Sequence, residues 1–320
     1  VGNVKEQLCN PRKLLGETML EIGTVNDSVV AVSCDSTNGG FAAFAEKYPE
    51  RFIECGIAEQ NAVSVCAGLS SMGFNAFIAV IDPFLTMRAY EQIRDDVGYG
   101  ESNVKLFGTG SGLAYSTLGP SHEAIEDIAV LRTVPRLRIL CPFDGESVRE
   151  CALYAAEHKG PCYIRMPLQP FVRTLPGRPE SNFEGRPGYF REEGDCLLLA
   201  AGTMVPMAVK AAGLLKERGV DAAVAGLLCV KPLRREEILA AARRYRTIIS
   251  IEEHSVHGGL GTALAEILAS SGETAVLRRI GIPEEGTVLT GNYEEVLDAY
   301  GLSAEKLAET IGKTLTDQRE

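Results

Sequence analysis

Short β-rich apolar runs alternate with helix-patterned segments along the chain, and a proline-rich stretch interrupts the alternation once. Runs at 28–34, 51–55, 75–81, 103–109, 136–140 and 161–166 read as strands, and segments near 11–24, 40–48, 57–72, 84–97, 121–133 and 144–158 as helices. Parallel neighbours need a long crossover, usually a helix, so the alternation predicts a mainly parallel sheet. Pro167, Pro170, Pro176, Pro179 and Pro187 then follow, with Gly177, Gly185 and Gly188 among them. Proline removes a ladder donor and breaks helices, so this stretch reads as a linker. A second alternation has strands at 196–202, 221–227, 246–253 and 274–281, helices near 204–218, 234–245 and 260–271, and a terminal amphipathic helix at 302–315. The expected fold class is α/β with two three-layer open-sheet domains. A mainly parallel domain occupies 1–168, a Pro/Gly-rich linker 169–192, and a smaller domain of about four strands 193–320.

A length of 320 residues is ample for two packed cores. Lys and Arg number 32 against 43 Asp and Glu, a formal charge of −11. That balance gives no general attraction to nucleic acid or an anionic membrane, and neither is expected as a partner. The uncharged run from Gln60 to Ile81 contains Asn61, Ser64, Ser70, Ser71 and Asn75, so it reads as helix–turn–strand and not as a membrane span. The first ten residues lack the apolar core of a signal peptide. Nine cysteines without a C-x-x-C pair read as reduced core thiols of a cytoplasmic protein. His122, His158, His254 and His257 match no standard zinc spacing, even with Glu252 and Glu253, so no metal ligand is expected on this chain.

The block RFIECGIAEQNAVSVCAGLSSMG, residues 51–73, is the most informative. It predicts a strand, a turn at Gly56, and a helix whose first turn carries Glu59, Gln60 and Asn61, with Ala58, Ala62, Val65 and Leu69 on one face. Ligands of open parallel sheets gather at the carboxyl ends of strands, so these side chains are well placed for a site. Taken alone, Glu59 also fits a carboxylate at a helix N-terminus.

Gly56-Ile57-Ala58-Glu59-Gln60-Asn61 after a strand reading RFI resembles the pyrimidine-binding domain of transketolases and of their relative, 1-deoxyxylulose-5-phosphate synthase. The resemblance continues through Arg88–Arg94 (RAYEQIR), Gly119–Asp127 (GPSHEAIED), Pro142-Phe143-Asp144 and Tyr163-Ile164-Arg165. Lys231-Pro232-Leu233, Glu252-Glu253-His254 and Gly258-Gly259-Leu260-Gly261 resemble the family's C-terminal domain, so nearly all of 11–285 is covered. The resemblance implies thiamine diphosphate as cofactor. Its glutamate, here Glu59, shares a proton with the aminopyrimidine ring nitrogen and shifts the ring toward the imino tautomer that removes the thiazolium proton. It makes Glu59 both catalytic and cofactor-binding. Phe84 and Ile81 stand at the family's F-x-x-F positions, with Ile81 in place of the first ring, and Asp35 and Arg88 are further cofactor-binding candidates. His122 corresponds to a catalytic histidine that meets substrate oxygens, and Arg165 to an arginine for the sugar phosphate. Outside the motif, Phe84 reads as core packing, Asp35 as a turn residue, His122 as a cap and Arg165 as a surface salt bridge.

Three departures sharpen the expectation. Gly110 and Leu118 stand where the family has a histidine and an aspartate for donor-sugar hydroxyls, which points toward a related, branched or modified ketose. No G-D-G motif for Mg²⁺ and diphosphate occurs; Gly194-Asp195-Cys196 is the nearest string. Gly258-Gly259-Leu260-Gly261 lacks phosphate-loop spacing and reads as a tight turn. The expected protein is therefore the C-terminal subunit of a split transketolase, transferring a two-carbon ketol unit from a ketose to an aldose. It would share thiamine diphosphate with an N-terminal subunit that binds Mg²⁺, in an α2β2 assembly. The alternatives are a deoxyxylulose-phosphate-synthase-like or 2-oxoacid dehydrogenase β-type subunit, and a non-catalytic scaffold paralogue.

Overall fold

The computed structural model describes residues 8–35 and 40–316; Ser36 and Thr37, beside the expected Asp35 site, lie outside the described residues. The first part runs β1 (Leu8–Cys9), α1 (Pro11–Val25), β2 (Val29–Ser33), α2 (Ala42–Lys47), β3 (Phe52–Glu54), α3 (Glu59–Ser71) and β4 (Asn75–Ile81). After a broken helix containing α4 (Tyr90–Gln92) come β5 (Val104–Thr109), α5 (Asp127–Leu131), β6 (Arg138–Leu140), α6 (Gly145–Glu157) and β7 (Cys162–Met166). Strands β6-β7-β5-β4-β2-β3 lie side by side in that order, all parallel. Val29 and Ala31 of β2 join one buried cluster, while Val30 and Val32 join another. Phe77 and Ala79 of β4 likewise separate from Ala76, Ile78 and Val80. Both faces of the sheet are buried, which is why these strands read as unbroken apolar runs.

Local chemistry sets the helix starts. Pro11 stands in the first turn of α1, and Asn10 accepts from the Lys13 N–H at 3.1 Å. Asp144 and Ser147 form a reciprocal capping box on α6. Two expected helices differ. The segment near 84–97 has π-helical turns at Phe84–Arg88 and Ile93–Tyr99 on either side of α4. The helix near 121–133 shrinks to α5, because Gly112 and Ala124 exchange backbone hydrogen bonds and draw the preceding residues into a bridge.

The remaining elements are β8 (Phe171–Val172), β9 (Gly188–Arg191), β10 (Cys196–Ala201), α7 (Met204–Glu217), β11 (Ala222–Leu227), β12 (Cys229–Lys231) and α8 (Arg235–Arg244). Then follow β13 (Thr247–Ser255), α9 (Leu260–Ala269), β14 (Val276–Ile282), α10 (Tyr293–Ala299) and α11 (Ala304–Thr316). The second sheet has order β14-β13-β10-β11-β9, parallel except for β9. It has five strands instead of about four, because Gly188–Arg191, inside the expected linker, pairs with β11. The same stretch carries β8, which pairs with β1. Strand β12 leaves its own sheet and adds antiparallel to β6, making the first sheet seven-stranded and joining the domains. No helix among the described residues is long and apolar enough to cross a membrane.

Candidate functional site

In the first sheet, β3 lies on one side of β2 and β4 on the other, so the winding reverses between β2 and β4. Connections leave opposite ways there and open a crevice at the carboxyl ends of the strands. Asp35 follows β2 with φ 51°, and its backbone N–H donates to Glu54 Oε1 at 2.6 Å. The Gly56 N–H, after β3, donates to the same oxygen at 2.8 Å. Glu54 therefore ties two crevice loops together. Sequence reasoning passed over this residue; its signal was an acid at a strand end beside a glycine turn.

Glu59 is the first residue of α3 and is 3% exposed. Its Oε2 accepts from Arg88 Nη1 at 2.8 Å. The Arg88 guanidinium lies 4.3 Å from the Phe84 ring centroid, and the Phe84 ring meets His122 edge-on at 5.1 Å. His122 Nδ1 is 2.9 Å from Ser121 Oγ. Beyond it, Tyr115 lies 6.2 Å from His122, and Arg12 donates to the Tyr115 hydroxyl. A continuous track thus runs Glu59–Arg88–Phe84–His122–Tyr115–Arg12. It joins four of the residues singled out from the sequence, with Ile81 at the neighbouring end of β4 and Asp35 beyond β2. Tyr115 and Arg12 carried no signal of their own, because their pairing spans 103 positions.

Tyr115 also accounts for Gly110. Gly110 has φ 75°, and a Cβ there would lie 2.2 Å from the Tyr115 ring. The space of a larger side chain at 110 is filled by Tyr115. Leu118 is exposed on the same loop.

Arg165 requires a correction. It is neither on the surface nor open toward the track, being 6% exposed. Nε and Nη2 donate to Asp127 at 2.7 and 3.2 Å, and Nη2 also donates to the carbonyls of Ala124 (3.0 Å) and Glu253 (2.9 Å). A buried bidentate pair consumes the fork that a phosphate would need. Arg165 instead fastens the first domain to the end of β13.

The surrounding network is buried and polar. The Tyr163 hydroxyl lies 2.7 Å from both Asp82 Oδ2 and Asp127 Oδ2, yet it has one proton. Against the opposing effect of its burial, Asp127 is held below its ordinary range by the Arg165 guanidinium, so it takes that proton's bond. Burial, and then the Asp127 charge, pushes the Asp82 carboxyl up to about 7. Asp82 in its protonated form completes the chain by donating to Tyr163. His254 is neutral: burial lowers it to about 4, its Nδ1 meets the Ser255 carbonyl at 2.7 Å, and Nε2 accepts from the Ala129 N–H at 3.2 Å.

The Gly258-Gly259 turn precedes α9, whose first N–H groups are already occupied. Glu252 accepts from Leu260 and Gly261 at 2.6 and 2.9 Å, and burial pushes this carboxyl up to about 7. An internal carboxylate fills the place an external phosphate would take. Among the described residues, no group of three or more His, Cys, Asp or Glu side chains is placed to hold a metal ion.

Residues 9–171 match the transketolase pyrimidine-binding domain family, and residues 189–307 match the transketolase C-terminal domain family. The chain is 36% identical over 302 residues to a transketolase C-terminal section of Methanocaldococcus jannaschii, covering 94% of each. It is 35% identical over 300 residues to an apulose-4-phosphate transketolase subunit of Phocaeicola vulgatus, covering 93% of this chain and 95% of that one. A solved split-gene transketolase, described as an inactive β4 tetramer, superposes with a TM-score of 0.82 at 33% identity, covering 96% of this chain and 98% of that one.

Proposed function

The chain belongs to the transketolase family, and from that membership we propose that it is the C-terminal, β-type subunit of a split transketolase. In this reading it transfers a two-carbon ketol unit from a ketose phosphate to an aldose, and works only with a separate diphosphate-binding subunit. The observation that carries the reading is Glu59, a buried carboxyl at the switch-point crevice, joined through Arg88 to Phe84 and His122.

These residues suit the aminopyrimidine half of thiamine diphosphate. Arg88 occupies Glu59 Oε2, and Oε1 is the oxygen assigned to a ring nitrogen. Phe84, with Ile81 beside it, offers an apolar wall, and Asp35 a polar group at the next strand end. When bound, the cofactor supplies the electron sink on which the ketose carbon–carbon bond breaks. Glu59 holds a proton at the ring nitrogen, Arg88 fixes the Glu59 carboxyl and the Phe84 ring, and His122 meets substrate oxygens.

Metal and diphosphate are assigned to the partner, in an α2β2 assembly, because the sequence carries no G-D-G motif. The inactive β4 tetramer of the split-gene relative supports the same division of labour. Gly110 and Leu118 depart from the sugar contacts the family resemblance implies, and the Phocaeicola relative's name specifies apulose 4-phosphate. Both favour a modified ketose phosphate as donor. Nine free cysteines, most of them buried, suit the cytoplasm.

The test is ketol transfer by this chain mixed with its candidate N-terminal subunit, offering branched and unbranched ketose phosphates. Turnover in the mixture with either sugar supports the reading. A requirement for a 2-oxo acid donor with CO₂ release identifies the synthase-like alternative instead.

A further inference from the structure

At the amino ends of β6 and β7, opposite the Glu59 crevice, a cavity of about 580 Å³ is lined by Arg136, Arg138, His158, Lys159 and Lys231, with one acid, Glu101. Glu101 pairs with Arg136 at 3.3 Å. The other cations have no carboxylate partner among the described residues. Arg138 Nη1 donates to the Phe183 carbonyl, and its Nε is buried without a partner. Lys231 Nζ donates to the Val134 and Leu131 carbonyls. Directly behind the wall, fully buried Lys105 donates to the carbonyls of His158 and Gly160, both at 2.6 Å, and to Asn103 Oδ1 at 2.7 Å. Lys159 is exposed at the mouth.

Buried or half-buried cations held only by neutral oxygens are costly. Several around one cavity create a local positive potential, even in a chain of net charge −11. Burial and neighbouring cations leave their mark on the same groups: Lys105 is lowered to about 8 by burial, Lys231 to about 8 by burial and Arg132, and His158 to about 4 by burial, Lys105 and Arg138. A guanidinium and two ammonium groups suit a doubly charged tetrahedral anion better than a single carboxylate.

We infer that this cavity binds a phosphate group, either inorganic phosphate or the phosphoryl end of a small metabolite, between Arg138, Lys159 and Lys231. The site stands apart from the catalytic crevice and does not depend on the proposed ketol transfer. Lys231 is carried by β12, the second-domain strand that pairs with β6, so the bound anion bridges the two domains. Binding to the folded state alone raises thermal stability.

The experiment is calorimetric titration of the full chain with inorganic phosphate and, separately, with glycerol 3-phosphate. Saturable binding of one or both is expected; binding of the ester alone identifies the ligand as a phosphorylated metabolite. Lys159→Glu, at an exposed position without a carboxylate partner among the described residues, weakens binding about tenfold or more, and Arg138→Gln does the same. Lys306→Glu on α11 leaves it unchanged. The His158 imidazole pKa, followed by NMR, rises on saturation as the anion offsets the nearby cations. Absence of saturable binding with both probes overturns the inference, as does binding that survives Lys159→Glu and Arg138→Gln or leaves His158 unmoved.

Discussion

Arg88 donates to Glu59 Oε2 across 2.8 Å while lying 4.3 Å above the Phe84 ring. One guanidinium thus fixes two side chains from different loops, α3's first residue and the turn after β4. Glu59→Gln keeps a carbonyl oxygen for Arg88 but loses the carboxyl's proton chemistry. Ketol transfer in the assembled enzyme is expected to fall about 10²-fold or more, with thermal stability nearly unchanged. Steady-state kinetics beside a melting curve check this; full activity with cofactor bound would remove Glu59 from the chemistry.

Arg165→Met leaves Asp127 buried and uncompensated. The isolated chain is expected to lose about 3–5 kcal/mol of stability, measured by denaturant unfolding without substrate. An unaltered unfolding midpoint with a raised KM for sugar phosphate would restore Arg165 to the substrate and contradict its interdomain role.

Asp82 titrates at about 7 in the fold against an ordinary 3.8. Between those values the folded state keeps a proton that the unfolded chain has released. This carboxyl's contribution is therefore present at low pH and is lost as pH rises toward about 7. Asp82→Asn imitates the neutral acid and still donates to Tyr163. Stability of the variant relative to the native chain should climb from pH 4 to pH 7 and then level off. A difference independent of pH would show that Asp82 is ionised throughout.

Gly110→Ala brings a Cβ to 2.2 Å from the Tyr115 ring at a φ of 75°. It is expected to cost about 1–3 kcal/mol. Tyr115→Ala in the same chain should recover the part owed to the clash, leaving the backbone strain. Strict additivity in the double-mutant cycle would deny the contact.

The parallel strands and the place of Glu59 at the start of α3 were legible because their signals are local: apolar runs of strand length, a glycine turn, and polar residues opening a helix. Phe84 and His122 came into view only through the family resemblance, since their ring contact spans two loops. Arg165 was misread because its partners Asp127 and Glu253 lie 38 and 88 positions away, and no short-range pattern reports such a pair. Strand β12 was hidden for the same reason, since its partner β6 belongs to the other domain. The linker's two short strands were masked by the prolines and glycines around them.

In the proposed function this chain supplies the pyrimidine-facing half of a shared cofactor site. The most direct measurement is Mg²⁺-dependent thiamine diphosphate binding to the chain alone and to its mixture with the candidate N-terminal subunit. Weak or no binding is expected for the chain alone, with tight binding and ketol transfer only in the mixture. Tight Mg²⁺-dependent binding by the isolated chain would contradict it.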